Sequence, residues 1–457
     1  MSKVLSKADK YLQRYSALQE RRIFSRSLAG VANAVVIPAL QERDSLFETL
    51  ASLAKNPSAD LCRTMVVCVV NNHRPSLAGS EAIADNQETL TILRGLIEKE
   101  VISIPLATEI KKNCEMIAHS ELRLAAIDAS SAGLEIPDRD GGVGAARKIG
   151  MDAALMILRN QGAGQGIISC LDADTLVEEN YLSAIAAFFQ NNSCPAATVG
   201  YAHQQPENPQ LFSAICRYEI FLRAYVIGLA FAASPYAFPS IGSTISCAAE
   251  AYISVRGMNR RAVAEDFHFL DKLAKLGKIG FAAGTTVHPS ARPSRRVAFG
   301  TGRKMLYFLE EGGAELLLYN PDIFIILGKW LAEMESSPER GAREIMEAAE
   351  TIHPLLHEYL RIARFPDNWE VIRKNSASPA HLRRQFHFWF DGLKTLKLVH
   401  YLDRSHYPPV EMFSGLKRLL QMMKKESPLL QNMDAVVPDL DVQLSILSEL
   451  RRLFPAS

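Results

Sequence analysis

The stretch Ile168–Leu182, ISCLDADTLVEENYL, runs from an apolar segment into two aspartates one residue apart and then into a polar, helix-starting segment. Its apolar half reads as a buried strand, and the carboxylates stand at that strand's carboxyl end. Burying an unpaired charge is costly, so such a pair faces solvent, a cation or a ligand. In an extended chain, side chains i and i+2 share a face, so Asp172 and Asp174 can reach one point. The plainer reading is a solvated loop in which one aspartate caps the next helix. A phosphatase-type D-x-D-x-T is excluded, because Thr175 follows the second aspartate directly.

The same grammar recurs along the chain. ANAVVIPAL (32–40), TMVVCVVNN (64–72), LRLAAIDAS (122–130) and GIISCLDAD (166–174) are apolar or β-branched runs, each ending in or followed by polar residues. Helical spacing separates them, as at Leu46, Phe47, Leu50, Leu53 and Ala54. Strands alternating with helices predict an α/β fold, with a mainly parallel sheet covered by helices on both faces. Ligands bind such sheets outside the carboxyl ends of the strands. The polar endings Glu42, Asn71, Asn72, Asp128, Asp172 and Asp174 all fall there. Beyond residue 304 the pattern becomes helical throughout. The boundaries predicted are a helical leader at 1–31, an α/β domain at 32–304 and an α-helical region at 305–457.

Composition narrows the function classes. The 457 residues carry 51 Lys plus Arg against 50 Asp plus Glu, a net charge of +1, which disfavours broad nucleic-acid binding. Seven scattered cysteines without a CxxC read as reduced core thiols of a cytoplasmic protein. The uncharged stretch 224–249, AYVIGLAFAASPYAFPSIGSTISCAA, is broken by two prolines and several hydroxyl residues, so it reads as a buried helix entering a loop. Peripheral contact with the inner face of a membrane stays open, as does homo-oligomerisation.

Three further blocks carry chemistry. In GGVGAARKIGMDAAL (141–155), Arg147 opens a helix after three glycines, a place that attracts anions. A dinucleotide fingerprint is excluded there, because Arg147 stands where its last glycine belongs. In AEDFHFLDKLAKLGKI (264–279), Glu265 and Asp266 open an amphipathic helix, where acids serve the helix dipole or one acts as a general base. In TTVHPSARPSRRVAFGTGRK (285–304), His288 sits at a strand end before Arg292, Arg295 and Arg296. Imidazole and carboxylate together suit Mn²⁺, and carboxylate with phosphate oxygens suits Mg²⁺. His387, between two phenylalanines, reads as part of a packed aromatic cluster.

The order VVIPALQERDSLFETLASL, GGVGAARKIGMDAAL, CLDADTLVEENYL and AEDFHFLDKLAKLGKI resembles glycosyltransferase family 2, over residues 32 to 300. The resemblance implies a GT-A fold and transfer of a sugar from a UDP- or GDP-sugar to an acceptor hydroxyl, with inversion and with Mn²⁺ or Mg²⁺. It implies that Pro38, Ala39, Glu42, Asn71, Arg147 and Asp172 hold the nucleotide-sugar. By the same likeness Asp172, Asp174 and His288 hold the metal, and Asp266 is the catalytic base. The acceptor class, glycan or lipid-linked, stays open. Two departures stand out: Leu40 and Gln41 precede Glu42 where the family has P-x-x-N-E, and Asn71 and Asn72 replace an acidic residue that contacts the base. The alternatives are a non-catalytic GT-A-like scaffold and a sugar nucleotidyltransferase. The latter lacks the Gly-rich, basic loop it needs after the first strand.

Overall fold

The computed structural model describes residues 6–18, 21–72, 78–137, 142–160, 166–260, 264–295, 300–310, 317–336, 339–431 and 437–457. These divide into two compact units, 1–204 with 240–303, and 205–239 with 304–457.

Among the described residues of the first unit, nine strands form one sheet. In chain order they are β1 (Ile23–Phe24), β2 (Asn33–Ala39), β3 (Thr64–Asn71), β4 (Arg123–Ala129), β5 (Ile167–Cys170), β6 (Leu176–Val177), β7 (Ala196–Tyr201), β8 (Ile245–Ala248) and β9 (Ile279–His288). The order across the sheet is β1-β4-β3-β2-β5-β8-β7-β9-β6. The core set β4, β3, β2 and β5 is parallel, as the alternating pattern predicts. Beyond it β8 pairs antiparallel with both β5 and β7, and β7 runs parallel to β9. Chain order therefore reverses at the β2–β5 junction: the chain goes from β2 outward to β3 and β4, then returns to the other side of β2.

Buried strands explain the unbroken apolar runs, since both faces of a covered sheet exclude water. All eight residues of β3 and six of the seven in β2 are buried. Each such Val or Ile contributes roughly 1.5–3 kcal/mol by leaving water. The helix Val143–Asn160 lies on β2 and β3. Gly150 makes that approach close, because a Cβ there would meet the Val36 and Val69 side chains.

Pro38 has a specific place in this register. It pairs with Val69 of β3, but β5 accompanies β2 only as far as Val36. A residue without an N–H is tolerated where the ladder on that side has ended. The sheet is thus open at its carboxyl end between β2 and β5.

The leader is not separate. Helix Lys7–Tyr15 belongs to the first unit, where buried Asp152 accepts from the Tyr11 and Tyr252 hydroxyls and from the Ala17 N–H, each at 2.7 Å. Lys148 pairs with Asp152 at 3.1 Å.

The second unit is helical, and it takes in helix Pro209–Phe231, which lies inside the 32–304 bounds expected for the α/β domain. The reason is packing: Ile220, Ala224 and Ile227 are buried in one core with Leu327, Trp330, Leu416 and Leu450. The uncharged stretch 224–249 is consequently split. Its first part completes this helix, and its last part forms a turn at Gly242–Thr244 and strand β8. His387 lies in the expected aromatic surroundings, 5.1 Å from the Phe386 ring, with Nε2 3.1 Å from Glu335. No helix among the described residues is long and apolar enough to cross a membrane.

Candidate active site

At the β2–β5 junction the sheet leaves a crevice, the place where open α/β sheets bind ligands. One wall is the β2 end, Pro38 and Ala39, followed by Gln41 at φ 53° and by Glu42, which starts helix Arg43–Ala54. The other wall is the loop after β5, carrying Asp172 and Asp174.

That loop is held from several sides. Thr49 donates to the Ala173 carbonyl at 2.9 Å, Ser52 accepts from the Val177 N–H at 3.1 Å, and Asn56 donates to the Glu178 carbonyl at 3.1 Å. The helix after β2 therefore fixes the loop after β5. On the far side one amide, Gln204 Nε2, donates to the carbonyls of Asp174 (2.9 Å) and His288 (2.7 Å).

The two aspartates do not share a face as extended spacing predicts. The chain turns at Ala173–Asp174, with the Thr175 N–H bonding back to the Asp172 carbonyl at 3.2 Å. Asp172 accepts from Arg147 Nη2 through Oδ1 and from the Ser243 hydroxyl at 2.6 Å through Oδ2. Asp174 instead stands 3.6 Å from Arg292, which also donates to Glu42 at 2.6 Å. Burial works against the charge of Arg292, but Glu42 and then Asp174 hold it more firmly protonated than usual.

Arg147 is the hub. Its guanidinium is buried and donates to Asp172 on one side and to Glu265 on the other. Burial opposes its charge, yet Asp172 and Glu265 raise its pKa. Gly242 lies directly behind it, leaving no room for a Cβ. Glu265 and Asp266 open helix Glu265–Ala274 as expected, after Ala264 in the left-handed region at φ 54°. Gln41 and Ala264, both non-glycine residues in that strained region, thus flank the two acidic elements of the site. Burial pushes the Glu265 carboxyl up to about 7, against the pull of Arg147. Burial also raises Asp266, against Arg147 and the Phe267 N–H that its Oδ1 accepts at 2.7 Å.

His288 ends β9 opposite Leu176. Its Nδ1 lies 3.0 Å from the Ala202 carbonyl, which can only accept, so Nδ1 carries a proton and, in the neutral ring, Nε2 has the lone pair. Such a bond to a backbone carbonyl is what a metal-binding imidazole makes with its other nitrogen. Nε2 is 3.8 Å from Glu178. Among the described residues, no group of three or more His, Cys, Asp and Glu could hold a metal ion.

Asn71 and Asn72 are buried at the β3 end. Asn72 donates to the Ser130 carbonyl at 2.6 Å, and Asn86 donates to the Asn71 carbonyl at 3.1 Å and to Asn72 Oδ1 at 2.5 Å. Asn72 is thereby committed to joining β3 to its neighbours. Arg296 lies outside the described residues, and Arg295 is exposed. Sequence reasoning passed over Thr49, Gln204, Gly242 and Ser243, since a single small or polar residue carries no spacing signal.

Residues 167–304 match the family model described as glycosyl transferase family group 2. No curated protein matches the chain in sequence. Similar solved structures include S. aureus TarS 1–349 in complex with UDP-GlcNAc, at 14% identity and TM-score 0.37, covering 75% of this chain and 91% of that one. Another is the mannosyltransferase PcManGT from Pyrobaculum calidifontis in complex with GDP-Man and Mn²⁺, at 12% identity and TM-score 0.34, covering 87% and 95%. The assignment rests on the matched segment, which contains Asp172, Asp174, Glu265, Asp266 and His288. Over residues 167–304 the chain is thus similar to glycosyl transferase family group 2.

Proposed function

We propose that this glycosyltransferase moves a sugar from a nucleotide-diphospho-sugar to an acceptor hydroxyl with inversion, in the crevice between the β2 and β5 ends. The observation that carries the reading is Arg147, whose one buried guanidinium joins Asp172 on the donor side to Glu265 beside Asp266.

Pro38, Ala39 and Glu42 form the nucleotide wall. Asp172, its two oxygens already oriented by Arg147 and Ser243, keeps an exposed edge to accept from donor hydroxyls. Asp174 and His288 Nε2 would hold Mn²⁺ or Mg²⁺, which when bound neutralises the charge developing on the departing diphosphate. Arg292 adds a mobile-length cation beside Asp174. Asp266, its carboxyl raised by burial, takes the proton of the acceptor hydroxyl as that oxygen attacks the anomeric carbon. The nucleoside diphosphate leaves from the opposite face, which inverts the configuration.

Binding of UDP-GlcNAc, UDP-glucose and GDP-mannose, with and without Mn²⁺, tests the reading. Metal-dependent binding of one donor, lost in Asp174→Ala, is expected. Failure to bind any nucleotide would overturn it in favour of a scaffold.

A further inference from the structure

The turn Gly242–Thr244 arrives at the site from 71 residues beyond Asp172, and its middle residue makes three polar contacts there. Ser243 Oγ donates to Asp172 Oδ2 at 2.6 Å, accepts from the Asp172 N–H at 3.2 Å, and lies 3.0 Å from Thr175 Oγ1. A hydroxyl has one proton and two lone pairs. With its proton given to the carboxylate, Ser243 can only accept from the other two, so Thr175 must donate. The hydrogens are therefore ordered in one sense, Thr175 to Ser243 to Asp172.

Ser243 and Thr175 are both fully buried, so water cannot replace either partner. The preceding residue, Gly242, bears on the guanidinium that holds the other oxygen of Asp172. Two adjacent residues of one turn thus set both sides of a single carboxylate. Asp172 itself keeps a third of its side chain exposed.

We infer that Ser243 is a positioning residue that locks the Asp172 carboxylate and backbone in the orientation that receives the nucleotide portion of the donor. The inference rests on the donor-binding reading above. Ser243 touches no donor atom itself. Its effect passes through Asp172, and Thr175 fixes the direction in which its proton points.

The test is a double-mutant cycle on nucleotide binding, with UDP and GDP as probes in the presence of Mn²⁺. Ser243→Ala leaves the buried Thr175 hydroxyl and the Asp172 N–H without their partner, and should weaken the nucleotide that the wild type binds by about tenfold. Introduced into Asp172→Ala, the same change should cost nothing further, because its target is gone. Ser243→Cys, close in volume but a weak donor, should behave as Ser243→Ala and serves should the alanine variant fold poorly. Additive losses, or unaltered affinity in folded Ser243→Ala or Ser243→Cys, would overturn the inference while leaving the donor reading intact. A wild type that binds neither nucleotide would overturn both, a failure visible before any variant is made.

Discussion

Arg147 Nη1 donates to Glu265 across 118 residues of sequence, and the two side chains retain only 4% and 5% of their exposure. With Asp172 on the other nitrogen, this makes a three-member ionic bridge between the loop after β5 and the helix that carries Asp266. In Arg147→Met, Glu265 would be left buried without its cation. Breaking one partner of such a pair typically costs about 3–5 kcal/mol. Arg147→Lys should recover only part of it, because an ammonium cannot present two forked donors to two carboxylates. Denaturant midpoints check this, and a methionine variant as stable as the wild type would contradict the bridge.

Asp266→Asn keeps the shape of the site and removes the proton acceptor. Transfer should fall by about 10²–10⁴-fold. Donor binding should persist, since Asp172, Asp174 and Arg147 are intact. Rate measurements beside nucleotide titration separate the two effects; undiminished transfer would remove Asp266 from the base role.

The raised Glu265 carboxyl makes a pH prediction. Its ordinary value of 4.5 rises to about 7 in the folded chain, through burial. Between those values the folded protein holds a proton that the unfolded chain has released. Stability from this group is therefore complete below pH 4.5 and is lost as pH rises through 7. The slope approaches about 1.4 kcal/mol per pH unit. Glu265→Gln should flatten that part of the stability profile, as followed by denaturation at a series of pH values.

Asp152 ties the N-terminal helix to the helix that carries Arg147. Asp152→Ala strips Tyr11, Tyr252 and the Ala17 N–H of their acceptor and leaves Lys148 buried without its anion. A loss of about 3–5 kcal/mol is expected. Hydrogen exchange should show residues 7–15 opening first. Protection there equal to the wild type would refute the tie.

Much of the α/β unit was legible residue by residue. The runs 32–40, 64–72 and 122–130 became Asn33–Ala39, Thr64–Asn71 and Arg123–Ala129, because strands covered on both faces need unbroken apolar sequence. The short antiparallel strand Ile245–Ala248 escaped notice. Four residues buried in a long uncharged stretch have no period to distinguish them from the helix before it.

The α/β alternation, the helical character beyond residue 304, and the acidic and basic residues at the strand ends can all be read along the chain. Hydrophobic period and chemical type are properties of neighbours along the chain. Folding added that Asp172 and Asp174 part to different arginines, that helix Pro209–Phe231 packs with the C-terminal helices, and that Ser243 and Gly242 brace Arg147 and Asp172. Those outcomes depend on which side chains meet from distant segments. A turn after β5 and a reversal of strand order at β2 settle that, and no local spacing encodes either.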